Sequence, residues 1–358
     1  MKKILILFSF LIFGSLSLKA QKVECTTRAG NIPYMFSKEK QDSINTILAI
    51  NSPYCIRAYI TVFADDNGSN RADTDANILA NFQFMVNSFQ THSICFMLIN
   101  IRQINNTDLN NHDSDTEEAE LNPFRITDCL NIFIHRSLPG NGTAYAIPNT
   151  YCSLDGVSYN IATMGHEVGH CLGLYHTFQK FGNPSVQENV TRNSGNACYN
   201  CTTQGDLLCD TPADDDGGVN GSCVYTGGGT DPCNGSSFAP MTSNMMAYGN
   251  FLCRNAFTTG QGSRMRSTIV GNATINDLAT NDIVYRPSSS NSTITWTINE
   301  GFETARDELY ISNYVNDAYN VSGSAVRRFV SKKVYLRPGT HFYPTTGRVH
   351  IKTNPYCN

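Results

Sequence analysis

Apolar positions along the chain fall into four kinds of stretch. The first, ILILFSFLIFGSLSL from Ile4, is apolar without interruption by charge, follows Lys2 and Lys3 and ends in small residues. It is too short to span a bilayer comfortably and predicts a secretory signal peptide cut after Ala20. Residues 21–52 show no sustained period and are expected to be a short propeptide. A second kind begins at Cys55, where CIRAYITVF is β-branched and aromatic at strand length. DANILANFQFMVNSFQ, from Asp75, spaces its apolar residues for a helix lying on a sheet, and SICFMLINIRQI and CLNIFIH read as two further strands. Strand and helix in alternation predict an α/β layer. Between them NNTDLNNHDSDTEEAELNP, from Asn105, is polar and acidic and predicts a solvated surface loop. GTAYAIPN, from Gly142, predicts an edge strand, because a proline and a turn follow it.

From Arg192 to Gly262 the periodicity gives way to Gly, Asn, Asp, Thr and Cys, as expected of an irregular region held by cross-links. RPSSSNS, from Arg286, reads as a linker, and short alternating stretches such as TITWTI and KKVYLRPG predict a small β module after it. No internal repeat is evident. The predicted organisation is a signal peptide over 1–20, a propeptide over 21–52, a catalytic domain over 53–285 and a β-rich module over 286–358.

One run breaks the pattern. GHEVGHCLGLYHTF, residues 165–178, sets His166, His170, His176 and Glu167 among glycine and apolar residues. On a helix His166 and His170 lie one turn apart on one face, so both rings can meet one ion, and Glu167 can lean over that ion without binding it. Six further residues of helix would carry His176 round the cylinder. Gly173 accepts the left-handed conformation that ends a helix and can bring His176 back. Three neutral imidazoles and a water make an open zinc site of the catalytic kind, with Glu167 as the base.

Composition narrows the setting. The chain has 358 residues and a formal net charge of −4, which argues against nucleic acid or an anionic membrane as partner. No segment after the signal is long and apolar enough for a membrane span. Thirteen cysteines in an exported chain imply disulfides, and the odd number leaves at least one thiol unpaired.

HEVGHCLGLYH resembles the extended HExxHxxGxxH signature of the metzincin zinc endopeptidases. Within that clan HEVGHCLGLYHTF, GDLLCDTPA, SNMMAY and FTTGQGSRM, in this order, are most similar to the pappalysin family. The resemblance implies an α+β, α/β-type zincin domain: a twisted sheet with an active-site helix above an irregular, disulfide-braced lower subdomain. It implies one catalytic Zn2+ on His166, His170 and His176, Glu167 as general base and then acid, and Tyr248 stabilising the tetrahedral intermediate. Met246 would be the turn methionine beneath the metal, with Met245 as the alternative.

In GDLLCDTPADDD the hard oxygens of Asp206, Asp210 and Thr211 suit a structural Ca2+, which family members carry in the corresponding loop. Related enzymes that cut next to arginine have an acidic residue shortly after the turn tyrosine. Here GNFLC follows Tyr248, so an apolar or small residue on the primed side is as compatible. Cys198, Cys201, Cys209, Cys223, Cys233 and Cys253 are expected to pair among themselves, and Cys171 to be a buried free thiol. Cys25, in ECTTRAG, is either a latency switch that ligates the zinc or a disulfide partner of Cys55.

The function read from the sequence is a secreted zinc endopeptidase acting on proteins or peptides. The carboxy-terminal module is expected to be a spacer or a surface attachment, or else a simple β appendage that stabilises the catalytic domain. The competing class is a surface-binding or adhesive protein in which the metal is structural and that module does the work.

Overall fold

The computed structural model describes residues 24–30, 34–48, 53–286, 294–295, 300–311, 319–323, 326–338 and 340–356; the expected signal peptide and most of the expected linker lie outside them. A helix, α1 (Lys38–Leu48), precedes the sheet. Then come β1 (Tyr54–Ala64), α2 (Asp75–Gln90), β2 (Ile94–Asn105), the short α3 (Thr107–Asn110), a 3-10 segment (Glu118–Phe124), β3 (Leu130–His135), β4 (Gly142–Ala144) and β5 (Tyr151–Asp155). After α4 (Thr163–Cys171) no named helix or strand occurs until α5 (Thr259–Gly271), which α6 (Ala273–Asn276) and β6 (Ala279–Thr280) follow.

The strands stand in the order β2-β1-β3-β5-β4, and β6 pairs with the start of β1. All neighbours in the main path are parallel except β4, which runs antiparallel to β5 at the edge, as GTAYAIPN predicted. Both faces of the sheet are covered, which is why its strands read as nearly continuous apolar runs. On one face Ile56, Ala58, Ile60 and Val62 meet Ile78, Phe82, Met85 and Phe89 of α2 and Met164 and Val168 of α4. Thr74 caps α2 by accepting from the Asn77 amide, so the apolar stripe starts in the right phase. Each fully buried Phe or Ile there contributes about 1.5–3 kcal/mol relative to exposure.

The other face corrects one expectation. The acidic segment after Asn105 is no simple solvated loop: Leu109, Asn110, His112 and Leu121 are buried, and Leu109 and Leu121 pack on Phe63 and Phe133. Its charges lie outside while a few apolar residues hold it down. Residues 21–52 also hold more structure than expected. Helix α1 packs on α5, where a Cβ on Gly271 would come within 2.5 Å of Ile44 and Phe36.

The carboxy-terminal strands overturn the expectation of no repeat. They are β7 (Ile283–Arg286), β8 (Ile294–Thr295), β9 (Glu300–Thr304), β10 (Glu308–Ile311), β11 (Tyr319–Gly323), β12 (Val326–Ser331), β13 (Lys333–Leu336), β14 (Thr340–Pro344) and β15 (Arg348–Thr353). They form three parallel three-stranded sheets, each taking one strand from each of three successive coils. Ile283 pairs with Glu308 and Glu308 with Lys333, so this sheet advances by 25 residues per coil. Only inward positions are shared in character, as with Val284, Leu309 and Val334, so the repeat is faint in the sequence. The coil docks on the main sheet: Val330 joins a cluster with Tyr59 and Met97, and the Asn354 side-chain amide donates to the Phe96 carbonyl on edge strand β2 at 3.2 Å. No described helix is long and apolar enough to cross a membrane.

Candidate active site

Helix α4 is buried along its whole length and carries His166, Glu167 and His170. Two glycines explain how it can lie so deep. A Cβ on Gly165 would come within 3.2 Å of Met245, and one on Gly169 within 2.6 Å of the Met246 sulfur. The two methionines therefore lie against the bare side of the helix, both fully buried, with Met246 nearer the second histidine. Gly173 has φ +93°, the left-handed conformation expected of it, and the Thr268 hydroxyl fills the space where a Cβ would stand.

The turn at Gly173 returns His176 to the other two rings. The Nε2 atoms of His166, His170 and His176 lie 3.1–3.2 Å from one another. The opposite nitrogens are spoken for: His166 Nδ1 lies 2.8 Å from the Met245 carbonyl and His170 Nδ1 2.8 Å from the Leu174 carbonyl. Each Nδ1 therefore carries the proton and each Nε2 points a lone pair at the common centre. Burial holds all three imidazoles below their ordinary range, His170 at about 4, so they are neutral. A tetrahedral ion with Zn–N bonds of about 2.0–2.1 Å would set its nitrogens about 3.3–3.4 Å apart. The donor set, its neutrality and its spacing thus fit zinc.

Glu167 stands beside this centre, fully buried, and burial pushes its carboxyl up to about 8. Its Oε1 is buried without a hydrogen-bond partner. Gly142 on β4 makes room for it, since a Cβ there would come within 2.7 Å of that oxygen. The Tyr248 ring lies 5.0 Å from the His176 ring and 6.0 Å from that of His166, placing the hydroxyl at the same cleft.

The cleft is filled by the chain's own amino-terminal segment. Cys25 Sγ lies 3.6 Å from Glu167 Oε2 and 3.7 Å from His170 Nε2. The ligand atoms of Cys25, His166, His170 and His176 all fall within 4.8 Å of one another, and no other such group of His, Cys, Asp and Glu occurs among the described residues. Cys25 and Cys55 are both free thiols, so the disulfide between them is excluded. Burial first, and the Glu167 carboxylate second, push the Cys25 thiol up; a bound dication would reverse that balance. Thr26 donates its amide to the Gly142 carbonyl at 3.0 Å, and Thr27 accepts from the Ala144 amide at 2.6 Å while its hydroxyl donates to Glu167 Oε2 at 3.0 Å. The Tyr248 hydroxyl donates to the Cys25 carbonyl at 3.0 Å. Glu24 forms an ion pair with buried Arg254, with 3.0 Å between Oε2 and Nη2. The sequence reading missed Thr27, Glu24 and Arg254: their types carry no motif, and only the fold brings them to the histidine cluster.

Below the helix, three disulfides join Cys198 to Cys233, Cys201 to Cys209 and Cys223 to Cys253, as expected, and Cys171 is a buried thiol donating to the Tyr151 carbonyl at 3.4 Å. Of the expected calcium residues, Asp206 and Thr211 are buried, and burial pushes Asp206 up to about 6. Asp206 accepts from the Leu208 amide and the Gln261 side chain, each at 3.0 Å. Asp210 is exposed and accepts from the Gly260 amide in the first turn of α5 at 2.6 Å, so it caps that helix. Glu188, which the sequence reading missed, is buried near Asp206, and burial pushes it up to about 9. Its carboxylate forms an ion pair with Arg192, with 2.8 Å between Oε1 and Nη2. Gly205, at φ +67°, leaves the space it occupies.

Comparison with known proteins shows what the chain is similar to. Residues 131–270 match the Peptidase_M43 family model, described as pregnancy-associated plasma protein-A. An extracellular metalloprotease of Verticillium alfalfae is 28% identical over 229 residues, covering 58% of this chain and 72% of the relative. One from Pyricularia oryzae is 27% identical over 243 residues, covering 62% and 77%. Extracellular metalloprotease 1 of Coccidioides posadasii is 35% identical over 113 residues, covering 31% and 32%. Among solved structures, a promirolysin mutant of Tannerella forsythia aligns with a TM-score of 0.48 and 19% identity, over 67% of this chain and 90% of that one. Mirolysin in complex with compound 9 gives 0.48 and 20% over 64% and 96%. Residues 131–270, which carry His166, Glu167, His170, His176, Met245 and Met246, are the stretch in which this chain is similar to the Peptidase_M43 family.

Proposed function

We propose that the protein is an extracellular zinc-dependent endopeptidase whose fold is that of a latent precursor, with Cys25 as the fourth zinc ligand. The observation that carries this is the convergence of three neutral Nε2 atoms beside a buried carboxylate that has one unpartnered oxygen. Zinc, when bound, supplies the Lewis acidity that polarises the scissile carbonyl and acidifies the attacking water. Glu167 takes the water proton and passes it to the leaving amine, for which its raised affinity for a proton suits it. Tyr248 donates from its hydroxyl to the oxyanion, using the direction in which it now donates to the Cys25 carbonyl. Edge strand β4 offers Gly142 and Ala144 to an extended substrate, as it does to Thr26 and Thr27.

Latency follows if the Cys25 sulfur holds the position the water needs. The segment is removable, since it is joined to the rest of the protein by hydrogen bonds and by the ion pairs Glu24–Arg254 and Arg28–Asp115, and by no disulfide of Cys25. A structural Ca2+ near Asp206, Thr211 and Glu188 is the reading their buried oxygens support, in place of one on Asp210. The carboxy-terminal coil shares core residues with the main sheet, which favours a stabilising role over surface attachment.

The four converging side chains also suit a closed, structural metal site in a binding protein. A buried Glu167 against that centre has no use in such a site. The two readings separate on one experiment: precursor freed of the residues before Pro53 is incubated with a peptide library, beside the Glu167→Gln protein and a zinc chelator. The expected result is chelator-sensitive cutting that falls by about 100-fold or more in the mutant while zinc content is unchanged. No cutting by the unmodified chain, or equal cutting by Glu167→Gln, overturns the endopeptidase.

A further inference from the structure

The guanidinium of Arg254 is among the most deeply buried charges near the cleft, and its side chain is 3% exposed. It donates from Nη1 to the Ala247 carbonyl at 2.9 Å, one residue before Tyr248, and this fixes the head group beside the cleft. Among the described residues its carboxylate partner is Glu24 alone, and Glu24 immediately precedes the cysteine that covers the metal ligands. Next to this pair a cavity of about 530 Å3 is lined by Glu24, Asp216, Val219, Tyr248, Gly249 and Phe251. Asp216 brings a carboxylate to the cavity but makes no ion pair with Arg254.

When the amino-terminal segment leaves, Arg254 loses its counter-charge and stays buried. A buried charge deprived of its partner is costly, so the site favours whatever returns a carboxylate to it. The main chain of Glu24 and Cys25 lies where a substrate would lie, with the Tyr248 hydroxyl on the Cys25 carbonyl and Thr26 on β4. A side chain that flanks the scissile bond can therefore follow the course of Glu24.

Resting on the endopeptidase reading, we propose that Arg254 sets the cleavage specificity: the pocket that Glu24 occupies takes an acidic side chain, glutamate or aspartate, at one of the two positions flanking the cut. This replaces the expectation of an apolar or small residue, which came from the absence of an acid in GNFLC; the deciding residue is the arginine directly after that stretch. Glutamate at this distance gains a charge-assisted hydrogen bond that glutamine cannot match.

The test uses the enzyme freed of its amino-terminal segment and a peptide library mapped by mass spectrometry, then a matched pair of substrates with Glu or Gln at the selected position. Expected are cuts enriched for Glu and Asp at one flanking position and a kcat/KM ratio of Glu over Gln of about tenfold or more. In Arg254→Met the Glu over Gln ratio, read on whatever cutting remains, should fall to within about twofold of unity. Arg254→Lys should keep part of the preference. If Arg254→Met does not fold, the unmodified enzyme on the matched pair still decides. Cuts without acidic enrichment, or a preference unchanged in Arg254→Met, overturn the assignment and leave the endopeptidase standing. The absence of any cut overturns both.

Discussion

The two halves of the cleft are built by different physics. Above and behind it, α4 rests on a five-strand path through apolar contacts from Ile60, Val62, Phe82 and Val168, and its groups are held by backbone ladders. Below it, the chain from Thr177 to Phe257 has no named helix or strand. There the backbone is fixed by three disulfides and by Asn and Asp side chains that accept from amides two residues on, as Asn196 does from Cys198 and Asn250 from Leu252. The upper half supplies the helix-borne histidines and Glu167. The lower half supplies Met246, Tyr248 and Arg254, which shape the floor and the pocket. The rigid histidine cluster is drawn from regular structure and the contoured cleft wall from cross-linked irregular chain.

The sharpest way to break this comparison is to damage each half separately. Phe82→Ala, in the apolar layer between α2 and the sheet, is expected to lower global stability by about 3–5 kcal/mol. Denaturant unfolding followed by a probe in each half should then show both transitions moving together. Replacing Cys223 and Cys253 by serine should cost about 3 kcal/mol or somewhat more by the loop-entropy estimate. Its effect should be local: hydrogen exchange speeds up around Val219 to Arg254 and peptide cutting falls, while amides of β1 and β3 keep their protection. Loss of protection in β1 would mean that the two halves are one cooperative unit and not two.

A smaller effect sharpens the electrostatic side. His135 is wholly buried in β3, where its ring nitrogens meet the Leu109 carbonyl and the Ser153 hydroxyl. Burial first, and His112 second, lower it from 6.5 to about 3. The folded state therefore requires the neutral ring. Its contribution is complete above pH 6.5 and is lost as pH falls toward 3, on the order of 1 kcal/mol per pH unit. His135→Gln should flatten that decline in urea-unfolding measurements at pH 4, 5 and 7, with a lower plateau at pH 7. An unchanged slope would place the acid sensitivity elsewhere.

Much of the upper half was legible along the chain. The strand at Cys55, the helix from Asp75 and the edge strand at Gly142 follow from local period and turn chemistry, because each buries residues close to it in sequence. The histidine run was legible for the same reason: a turn of helix and one left-handed glycine fix the three rings within eleven residues. The acidic segment after Asn105 misled because a few apolar residues, Leu109 and Leu121, suffice to bury a stretch whose charges point outward. The carboxy-terminal coil misled because a parallel stack repeats register and inward character, not residue identity.

By itself, the sequence determined the clustering of three histidines beside Glu167, the cysteine-rich character of the lower half and the presence of a sheet, since all of these rest on spacings short enough for covalent geometry to enforce. Tertiary structure alone decided that Cys25 meets His170 across 145 residues rather than pairing with Cys55, that Glu24 meets Arg254, and that Glu188 rather than Asp210 lies buried near Asp206. Those contacts join residues of ordinary type at large separation. Their meaning comes from burial, which makes an unpaired charge or thiol costly, and burial is a property of the packed whole.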